Sequence, residues 1–258
     1  MKCLIDADVL LYEVGFAAES SWKYQGKEGI PPFDIAEEQL LNLIARIENE
    51  CNADEPSLFF FTGKTNFRND IAKTTPYKAR LGPKPFHYHN IRAYIKALYD
   101  FEERESFEAD DLMAIYQTAR INERQTIICS RDKDLKQVDG LHYGWECYNQ
   151  PSFGPEYVQG YGRISLQEKP KKIVGVGSKF FLSQCLTGDS VDSVPGIPGC
   201  GPVTAYKTLA DTQTYEEGLE AVVEAYKGLG MDYLLEQGQL LWMTREVNEE
   251  GGPVLWKI

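Results

Sequence analysis

Short apolar segments alternate with amphipathic stretches along the first 150 residues. Four segments have the length and composition of buried strands: 2–5 (KCLI), 57–61 (SLFFF), 125–129 (QTIIC) and 142–148 (HYGWECY). Four helices are predicted between them: VLLYEVGFAA after Asp6, one from an N-cap at Asp34 to about Glu50, one over about 88–103 and one over about 109–122. Strands that alternate with helices predict an α/β domain with a largely parallel sheet.

The pattern changes after residue 150. Residues 150–172 are rich in glycine and proline and predict a linker or flexible insertion. From residue 175 onward the pattern is helical, with helices expected near 214–227 and 231–245. We therefore predict two domains, an α/β domain over residues 1–172 and a helical domain over residues 173–258.

Composition narrows the class of protein. A chain of 258 residues with 43% hydrophobic residues can bury a sizeable core, and it contains no run of eighteen apolar residues. The six cysteines include no C-x-x-C pair, which favours reduced, buried thiols in a cytoplasmic protein and argues against zinc. The pair of histidines in FHYH has no further zinc ligand nearby in sequence and does not change this view.

Charge is distributed unevenly around a net value of −12. Such a balance argues against a general nucleic-acid coat, because phosphate binding needs local positive potential. One such region exists: the basic loop over residues 62–92 carries seven basic residues and one acid, and its three prolines exclude a long helix. A second, smaller group of lysines comprises Lys169, Lys171, Lys172 and Lys179.

Acidic residues cluster at four boundaries of predicted elements. The clusters are Asp6 and Asp8; Glu108, Asp110 and Asp111; Asp132 and Asp134; and Asp189 and Asp192. Each cluster alone is more readily explained by helix capping. Together they predict a site for Mg²⁺ or Mn²⁺, because converging carboxylates need a cation and oxygen ligands without His or Cys favour these metals.

The glycine- and proline-rich stretch GIPGCG (196–201) follows the last acidic pair. Glycines there permit positive φ and close approach of the backbone, and the helix expected near Pro202 would offer free amides to a phosphate. The segment is therefore either a plain turn between helices or a hairpin that grips the DNA backbone through Gly196, Gly199 and Gly201, with Lys207 on the following helix.

The ordered set of these motifs resembles the 5′-nuclease superfamily, which includes flap endonucleases and phage 5′→3′ exonucleases of the T7-like phages. The resemblance rests on LIDAD, PYKAR, EADD, SRDKDL and TGDSVDSVPGIPGCGPVTA, and covers nearly the whole chain. It implies a PIN-like parallel-sheet nuclease domain, an all-helical C-terminal helix–three-turn–helix region that binds DNA, two divalent metals, and binding to DNA 5′ ends or junctions.

The resemblance also implies a role for individual residues. The more central metal would be held by Asp6, Glu108, Asp110, Asp132 and Asp134, and the second by Asp189 and Asp192 with help from Asp132. Asp111 matches an acid whose role is less defined, and the hairpin carbonyls are a further option for K⁺. Lys78 would contact the scissile phosphate, and Arg68 and Arg80 neighbouring phosphates; Lys64 and Lys84 add to the basic loop, and Tyr77 either stacks on an unpaired base or packs in the core.

One departure from the family pattern concerns a metal aspartate that usually follows the second strand. This chain has Gly63 or a neighbour at the matching place, and we hypothesise that Asp8 partly substitutes for the lost ligand. The segment between the basic loop and EADD is also too short for a long two-helix arch. We therefore expect a short basic loop beside the site.

These features predict a two-metal 5′→3′ exonuclease that hydrolyses duplex DNA from 5′ ends, in phage DNA replication and removal of RNA primers, including RNA–DNA hybrids. A 5′-flap endonuclease is the first alternative, and a catalytically weak module that binds DNA junctions is the second. We expect a monomer in the host-cell cytoplasm, with replication proteins as possible partners and no membrane association.

Overall fold

The computed structural model describes residues 1–79 and 82–258. The elements in chain order are β1 (Lys2–Asp6), α1 (Ala7–Tyr24), α2 (Phe33–Glu50), β2 (Leu58–Thr62), α3 (Arg68–Ile71), α4 (Tyr88–Leu98), β3 (Asp100–Arg104), α5 (Ala109–Ala119), β4 (Thr126–Cys129), a 3-10 helix (Asp134–Gln137), β5 (Gly140–Gly144), β6 (Phe153–Val158), β7 (Arg163–Glu168), β8 (Lys171–Val176), α6 (Ser178–Thr187), α7 (Pro202–Leu209), α8 (Tyr215–Tyr226) and α9 (Met231–Leu241). Among the described residues, no helix has both the length and the apolar character needed to cross a bilayer.

The chain forms two compact units that interleave in sequence. The α/β unit contains residues 1–64, 82–132 and 140–157, and the helical unit contains, among the described residues, 65–79, 133–139 and 158–258. Both units are therefore discontinuous, whereas the sequence pattern suggested one cut near residue 172. As a statement about independently folding domains, the division at residue 172 stays a prediction.

The central sheet has six strands in the order β3-β2-β1-β4-β5-β6. The first five are parallel neighbours, as the alternation of strands and helices predicts. Register sets the site: Ile5 of β1 lies opposite Cys129 of β4, so the residues after them, Asp6 and Ser130, leave the sheet side by side. The carboxyl edge of a parallel sheet is where ligands of such folds collect.

Strand β3 corrects the sequence-based expectation of one helix over 88–103. Helix α4 ends at Leu98, and the next five residues, DFEER, pair in parallel with β2. The strand is polar and largely exposed because it lies at the edge of the sheet. Because the strand is polar, the pattern of apolar runs did not indicate it.

The helical unit is built around α6, a helix with eight buried residues in ten. Its Phe181 packs edge-on against Trp242 and Trp256, with ring centroids 4.9 and 5.4 Å apart. Strands β7 and β8 form an antiparallel hairpin whose Ile164 and Ile173 pack against this core. The segment 150–172 is therefore not a linker: its apolar residues alternate with polar ones, a strand pattern that the glycines and prolines obscured.

Smaller corrections concern the ends of elements. Helix α2 begins at Phe33 with Pro32 before it, so Asp34 lies in the first turn and is not the N-cap. Strand β5 covers Gly140–Gly144 and ends before most of the predicted 142–148 segment. Helix α9 ends at Leu241, four residues earlier than expected.

Candidate metal and nucleic-acid sites

Two of the predicted acids meet at the carboxyl edge of the sheet through Ser130. The Ser130 hydroxyl donates to Asp6 Oδ2 at 2.7 Å and accepts the amide of Asp132 at 2.9 Å. Asp6 is 2% exposed, and its other oxygen caps α1 by accepting the amide of Val9 at 3.1 Å. Capping and clustering, which the sequence left as alternatives, both apply to Asp6.

Burial raises the pKa of Asp6 to about 7, and the neighbouring charges of Asp8 and Asp132 add to the rise. The hydrogen bonds from Ser130 and Val9 oppose it. At neutral pH this group is therefore balanced between a proton and a negative charge. A bound cation would favour the charged form, so the raised pKa indicates a site that a metal would stabilise.

Asp8 lies between the sheet edge and a cation of the basic loop. Its Oδ2 accepts the amide of Thr62 at 2.9 Å, and its Oδ1 lies 3.6 Å from Arg92 Nη1. That Oδ1 atom is buried and has no hydrogen-bond partner. An unbonded buried carboxylate oxygen beside Asp6 fits a hard cation that takes oxygen ligands.

The EADD acids open α5, as predicted, but they differ in what they contact. Glu108 and Asp111 form a reciprocal capping box, in which Asp111 Oδ2 accepts the amide of Glu108 at 3.3 Å. Asp111 is fully buried. Both carboxylates therefore serve the helix terminus, and the place of Asp111 among the candidate ligands stays a prediction. Asp110, in the same turn, is half-buried.

Gly63 occupies the place where the resemblance implies a further aspartate. Its amide donates to the carbonyl of Phe107 at 2.9 Å, and a Cβ atom there would lie 2.2 Å from the carbonyl oxygen of Arg104. A backbone oxygen cannot rotate away as a side chain can. The close approach of the chain after β3 thus leaves no room for any side chain at position 63.

The second acidic pair lies in the helical unit, with a lysine against it. Lys133 Nζ is 2.5 Å from Asp189 Oδ2, and Asp189 Oδ1 accepts the amide of Val191 at 2.8 Å. Burial alone would raise the pKa of Asp189, but the hydrogen bond and charge of Lys133 lower it overall. Asp134 is buried and accepts a 2.6 Å hydrogen bond from Gln184. Lys133, a cation of the chain itself, therefore favours the ionised form of Asp189.

Lys78 of PYKAR is hydrogen-bonded to Asp192, the last acid before the glycine- and proline-rich hairpin. The amide of Lys78 donates to the carbonyl of Asp192 at 3.0 Å, and its ammonium lies 3.7 Å from Asp192 Oδ1 with a third of the side chain exposed. Tyr77 is buried in the helical core and its hydroxyl is 3.3 Å from Asp192, so packing and not base stacking describes it. Arg80 lies outside the described residues.

Arg68 does not point at solvent, contrary to the expected phosphate contact. Its side chain is fully buried, and it donates to the carbonyls of Leu240 at 2.9 Å and Trp242 at 2.8 Å. A guanidinium that satisfies the end of α9 cannot also reach a nucleic acid. Arg68 is therefore a structural residue of the helical unit, which corrects the prediction.

One of the three hairpin glycines is buried against other backbone, and the other two are exposed. Gly196 has a φ of +64°, its amide donates to Gln237 at 3.0 Å, and a Cβ would lie 2.3 Å from the amide nitrogen of Gly188. No atom lies within 4 Å of a Cβ placed on Gly199 or Gly201, which precedes α7. The structure corrects the DNA-contact prediction for the Gly196 amide, and leaves the other two backbones accessible.

Three lysines of the prediction are exposed: Lys64, Lys84 and Lys207. Lys84 lies over the ring of Tyr88, 4.2 Å from its centroid. Lys179, in contrast, is buried and donates to the carbonyl of Thr212 at 2.7 Å. It therefore does not add to the exposed charge of the second group of lysines. The remaining exposed lysines can meet phosphates as mobile charges.

Within residues 1–79 and 82–258, no three carboxylates bring oxygens within 4.8 Å of one another. Sequence reasoning missed the residues that contact the acids within each unit, namely Ser130, Thr62, Arg92 and Lys133. Ser130 had a usable signal, since it is polar and directly follows a buried parallel strand.

Comparison with known proteins gives sequence relatives but no family model that matches the chain. The chain is 32% identical over 199 residues to DNA polymerase I of Rhizobium leguminosarum, a match covering 74% of this chain and 18% of the polymerase. It is 29% identical over 122 residues to the flap endonuclease Xni of Shewanella pealeana, covering 46% of this chain and 43% of Xni. The chain thus spans less than half the length of each of these relatives.

Two solved structures have a similar fold. One is the bacteriophage T5 flap endonuclease in a complex with DNA and metal ions, with a TM-score of 0.55, 14% identity and coverage of 92% of this chain and 88% of that chain. The other is the T5 5′-exonuclease with bound zinc ions, with a TM-score of 0.57, 14% identity and coverage of 93% and 89%. At these identities the likeness concerns the fold. Fold, ordered motifs and sequence relatives all support the 5′-nuclease superfamily for this chain.

Proposed function

We propose that the protein is a metal-dependent 5′→3′ exonuclease that hydrolyses DNA from the 5′ ends of duplexes. Its setting would be phage DNA replication and RNA-primer removal in the host cytoplasm. The observation that carries the proposal is the group of Asp6, Asp8 and Asp132 at the carboxyl edge of the sheet, where burial, together with the charges of Asp8 and Asp132, raises the pKa of Asp6 to about 7. Burying a carboxylate beside two others costs free energy, which fits a cation-binding role better than a purely structural role.

The residues proposed to hold the first metal are Asp6, Asp8, Glu108, Asp110 and Asp132. Asp189 and Asp192 are proposed for the second, with Asp134 beside them. When bound, Mg²⁺ or Mn²⁺ would activate a water and neutralise charge on the phosphate. The role of Ser130 would be to hold Asp6 ionised and Asp132 oriented, through the two hydrogen bonds it makes.

Lys78 is proposed to contact the scissile phosphate. Its backbone bond to Asp192 fixes the start of the side chain, and the partly exposed ammonium can turn from Asp192 to a phosphate oxygen. A cation so placed would offset charge that develops in the transition state. The open backbones of Gly199 and Gly201 are proposed to grip the duplex without reading its bases, and the hairpin carbonyls remain an option for K⁺.

A 5′-flap endonuclease is the second candidate, because both Xni and the T5 relative carry that name. The basic loop supports the exonuclease instead. Among its described residues after α3, positions 72–79 and 82–87 form turns and irregular chain, with no helix of an arch. A loop without such an arch is less suited to threading a free 5′ strand.

The test uses a 5′-labelled duplex and a matched 5′-flap substrate, each with Mg²⁺ and with EDTA. Mononucleotides from the duplex support the exonuclease, and a flap-length product supports the alternative. Asp132→Asn should abolish either product, while Asp70→Asn, a change at an exposed acid, should leave it unchanged. DNA binding without any cleavage in Mg²⁺ or Mn²⁺ would contradict both and favour a junction-binding module.

A further inference from the structure

Three cysteines that are far apart in sequence meet in the core of the α/β unit. The sulfurs of Cys3, Cys51 and Cys129 all lie within 4.8 Å of one another, and those of Cys51 and Cys129 are 3.7 Å apart. None of the three residues is more than 4% exposed. Within the described part of the chain, no other group of three metal-ligating side chains is so close.

The fold brings these sulfurs together through one strand register and one helix end. Cys3 of β1 lies opposite Ile127 of β4, so Cys129, two residues further on, projects from the same face of the sheet. Cys51 directly follows α2, the helix that packs in the same core cluster. The cluster therefore joins two central strands to the end of a covering helix.

We propose that Cys3, Cys51 and Cys129 form a thiolate site for one zinc ion in the core of the α/β unit. A tetrahedral site with a Zn–S bond of about 2.3 Å has neighbouring sulfurs about 3.8 Å apart. The observed separation of 3.7 Å between Cys51 and Cys129 matches that edge. Soft thiolates select zinc over the Mg²⁺ or Mn²⁺ proposed for the carboxylates.

The three sulfurs differ in how readily they ionise without a metal. Hydrogen bonds from Cys129 and Cys51 lower the pKa of Cys3, whereas the pKa of Cys129, through burial first, and that of Cys51 are raised. A bound zinc ion would have to displace the protons of these two thiols. Ser57 is buried, and its hydroxyl donates to Glu48 Oε1 at 2.6 Å. It is a polar neighbour of Cys3, and its oxygen would be a ligand for the fourth position of a tetrahedral ion.

Zinc would enter as the chain folds, because β1 is a central strand and the sulfurs are closed to solvent in the folded state. Each thiol would release its proton to water when its sulfur becomes a ligand, so the bound metal would contribute directly to folding. The site uses none of the residues proposed for catalysis, so its metal content can be measured without an activity assay.

The experiment measures metal content and the ligand type. Full-length protein produced with added zinc is dialysed against Mg²⁺ and EDTA, then analysed by mass spectrometry of metals. We expect about one zinc per chain. Protein refolded with Co²⁺ should show the sulfur-to-cobalt charge-transfer absorption that carboxylate ligands cannot produce.

A matched pair of variants separates this site from other zinc. Cys51→Ala should lose at least about nine-tenths of the zinc and the cobalt–thiolate band. Cys185→Ala removes an equally buried cysteine of the helical unit and should keep both. Folded wild-type protein with neither zinc nor a cobalt–thiolate band would overturn the proposal, as would equal zinc in all three proteins. The wild-type result decides the matter even where Cys51→Ala does not fold.

Discussion

Ser130 Oγ lies 2.7 Å from Asp6 Oδ2, and the same hydroxyl receives the amide of Asp132 at 2.9 Å. One small side chain thus connects the ends of two neighbouring parallel strands and influences the protonation of Asp6, which is buried. Its hydrogen bond lowers a pKa that burial raises. The proposed metal site depends on this balance.

Ser130→Ala is expected to raise the Mg²⁺ concentration that the enzyme needs for activity. Without its hydroxyl, the pKa of Asp6 rises further above 7, so a cation must compete with a more firmly held proton. The Mg²⁺ concentration for half-maximal activity at pH 7 should increase on the order of tenfold, and the increase should shrink at pH 8.5. Ser183→Ala, a buried serine that donates to the carbonyl of Phe180, is the control. An equal shift at both pH values would contradict the pKa argument.

Asp6→Asn is expected to stabilise the metal-free protein at high pH. The pKa of Asp6 is about 7 when folded and about 4 when unfolded, so its contribution to stability is present below pH 4 and is lost as pH rises through 7. An asparagine cannot ionise and avoids that loss.

Thermal melts in EDTA provide the measurement. The variant should melt on the order of 5 °C above wild type at pH 8, and the difference should close towards pH 4. Added Mg²⁺ should stabilise wild type more than Asp6→Asn. Asp70→Asn should follow wild type throughout, and a stability gap independent of pH would count against the assignment.

Asp8→Ala tests whether this residue replaces the acid missing at Gly63. Its buried, unbonded Oδ1 suggests a ligand, and its removal should weaken metal binding on the order of tenfold. Mn²⁺ binding measured by calorimetry is the readout. Asp34→Ala, a change in the exposed first turn of α2, is the control. Unchanged Mn²⁺ affinity would remove the substitution hypothesis.

Gly63→Asp should fail to restore the family ligand. The new Cβ would overlap the carbonyl oxygen of Arg104, and relief requires the backbone after β3 to move. We expect a loss of about 2 kcal/mol or more in the free energy of unfolding and no gain in activity. Gly228→Asp, at a glycine with no atom within 4 Å of its Cβ position, should cost much less in urea titrations. Full stability with enhanced cleavage would show that the backbone yields.

Lys133→Met should make the helical unit depend on divalent metal. Lys133 neutralises Asp189, which is 5% exposed, and keeps the pKa of that carboxyl low. The lost pair should reduce stability at pH 7 by on the order of 1 kcal/mol, since the lysine itself is half exposed. As pH falls and Asp189 takes up a proton, the deficit should vanish. Mn²⁺ should restore stability at pH 7, whereas Lys227→Met, which breaks an exposed pair with Glu224, should show neither effect.

The effects predicted here for metals on oxygen ligands can be separated experimentally from zinc binding by the three cysteines. The variants at Ser130, Asp6, Asp8 and Lys133 concern hard metals on oxygen ligands. Their effects should appear with Mg²⁺ or Mn²⁺ at constant zinc content, because none of them alters a cysteine.

The amino-acid sequence by itself determined the fold class and the positions of the acids along the chain. Apolar runs located β1, β2 and β4, and the residues after such runs are placed at the sheet edge by geometry alone. Helix α5 was predicted from its acidic first turn and ordinary helical spacing. These features are local, so short windows of sequence carry them.

Only the tertiary structure decided which charged residues are available. Arg68 and Lys207 are both basic side chains near predicted phosphate sites, yet Arg68 caps the end of α9 and Lys207 faces solvent. The fold likewise excluded a side chain at Gly63 and assembled three cysteines from residues 3, 51 and 129. The physical reason is that the burial of a side chain, and the groups it contacts, depend on which distant segments pack together. Strand register and the path of the chain determine that packing, and local composition does not.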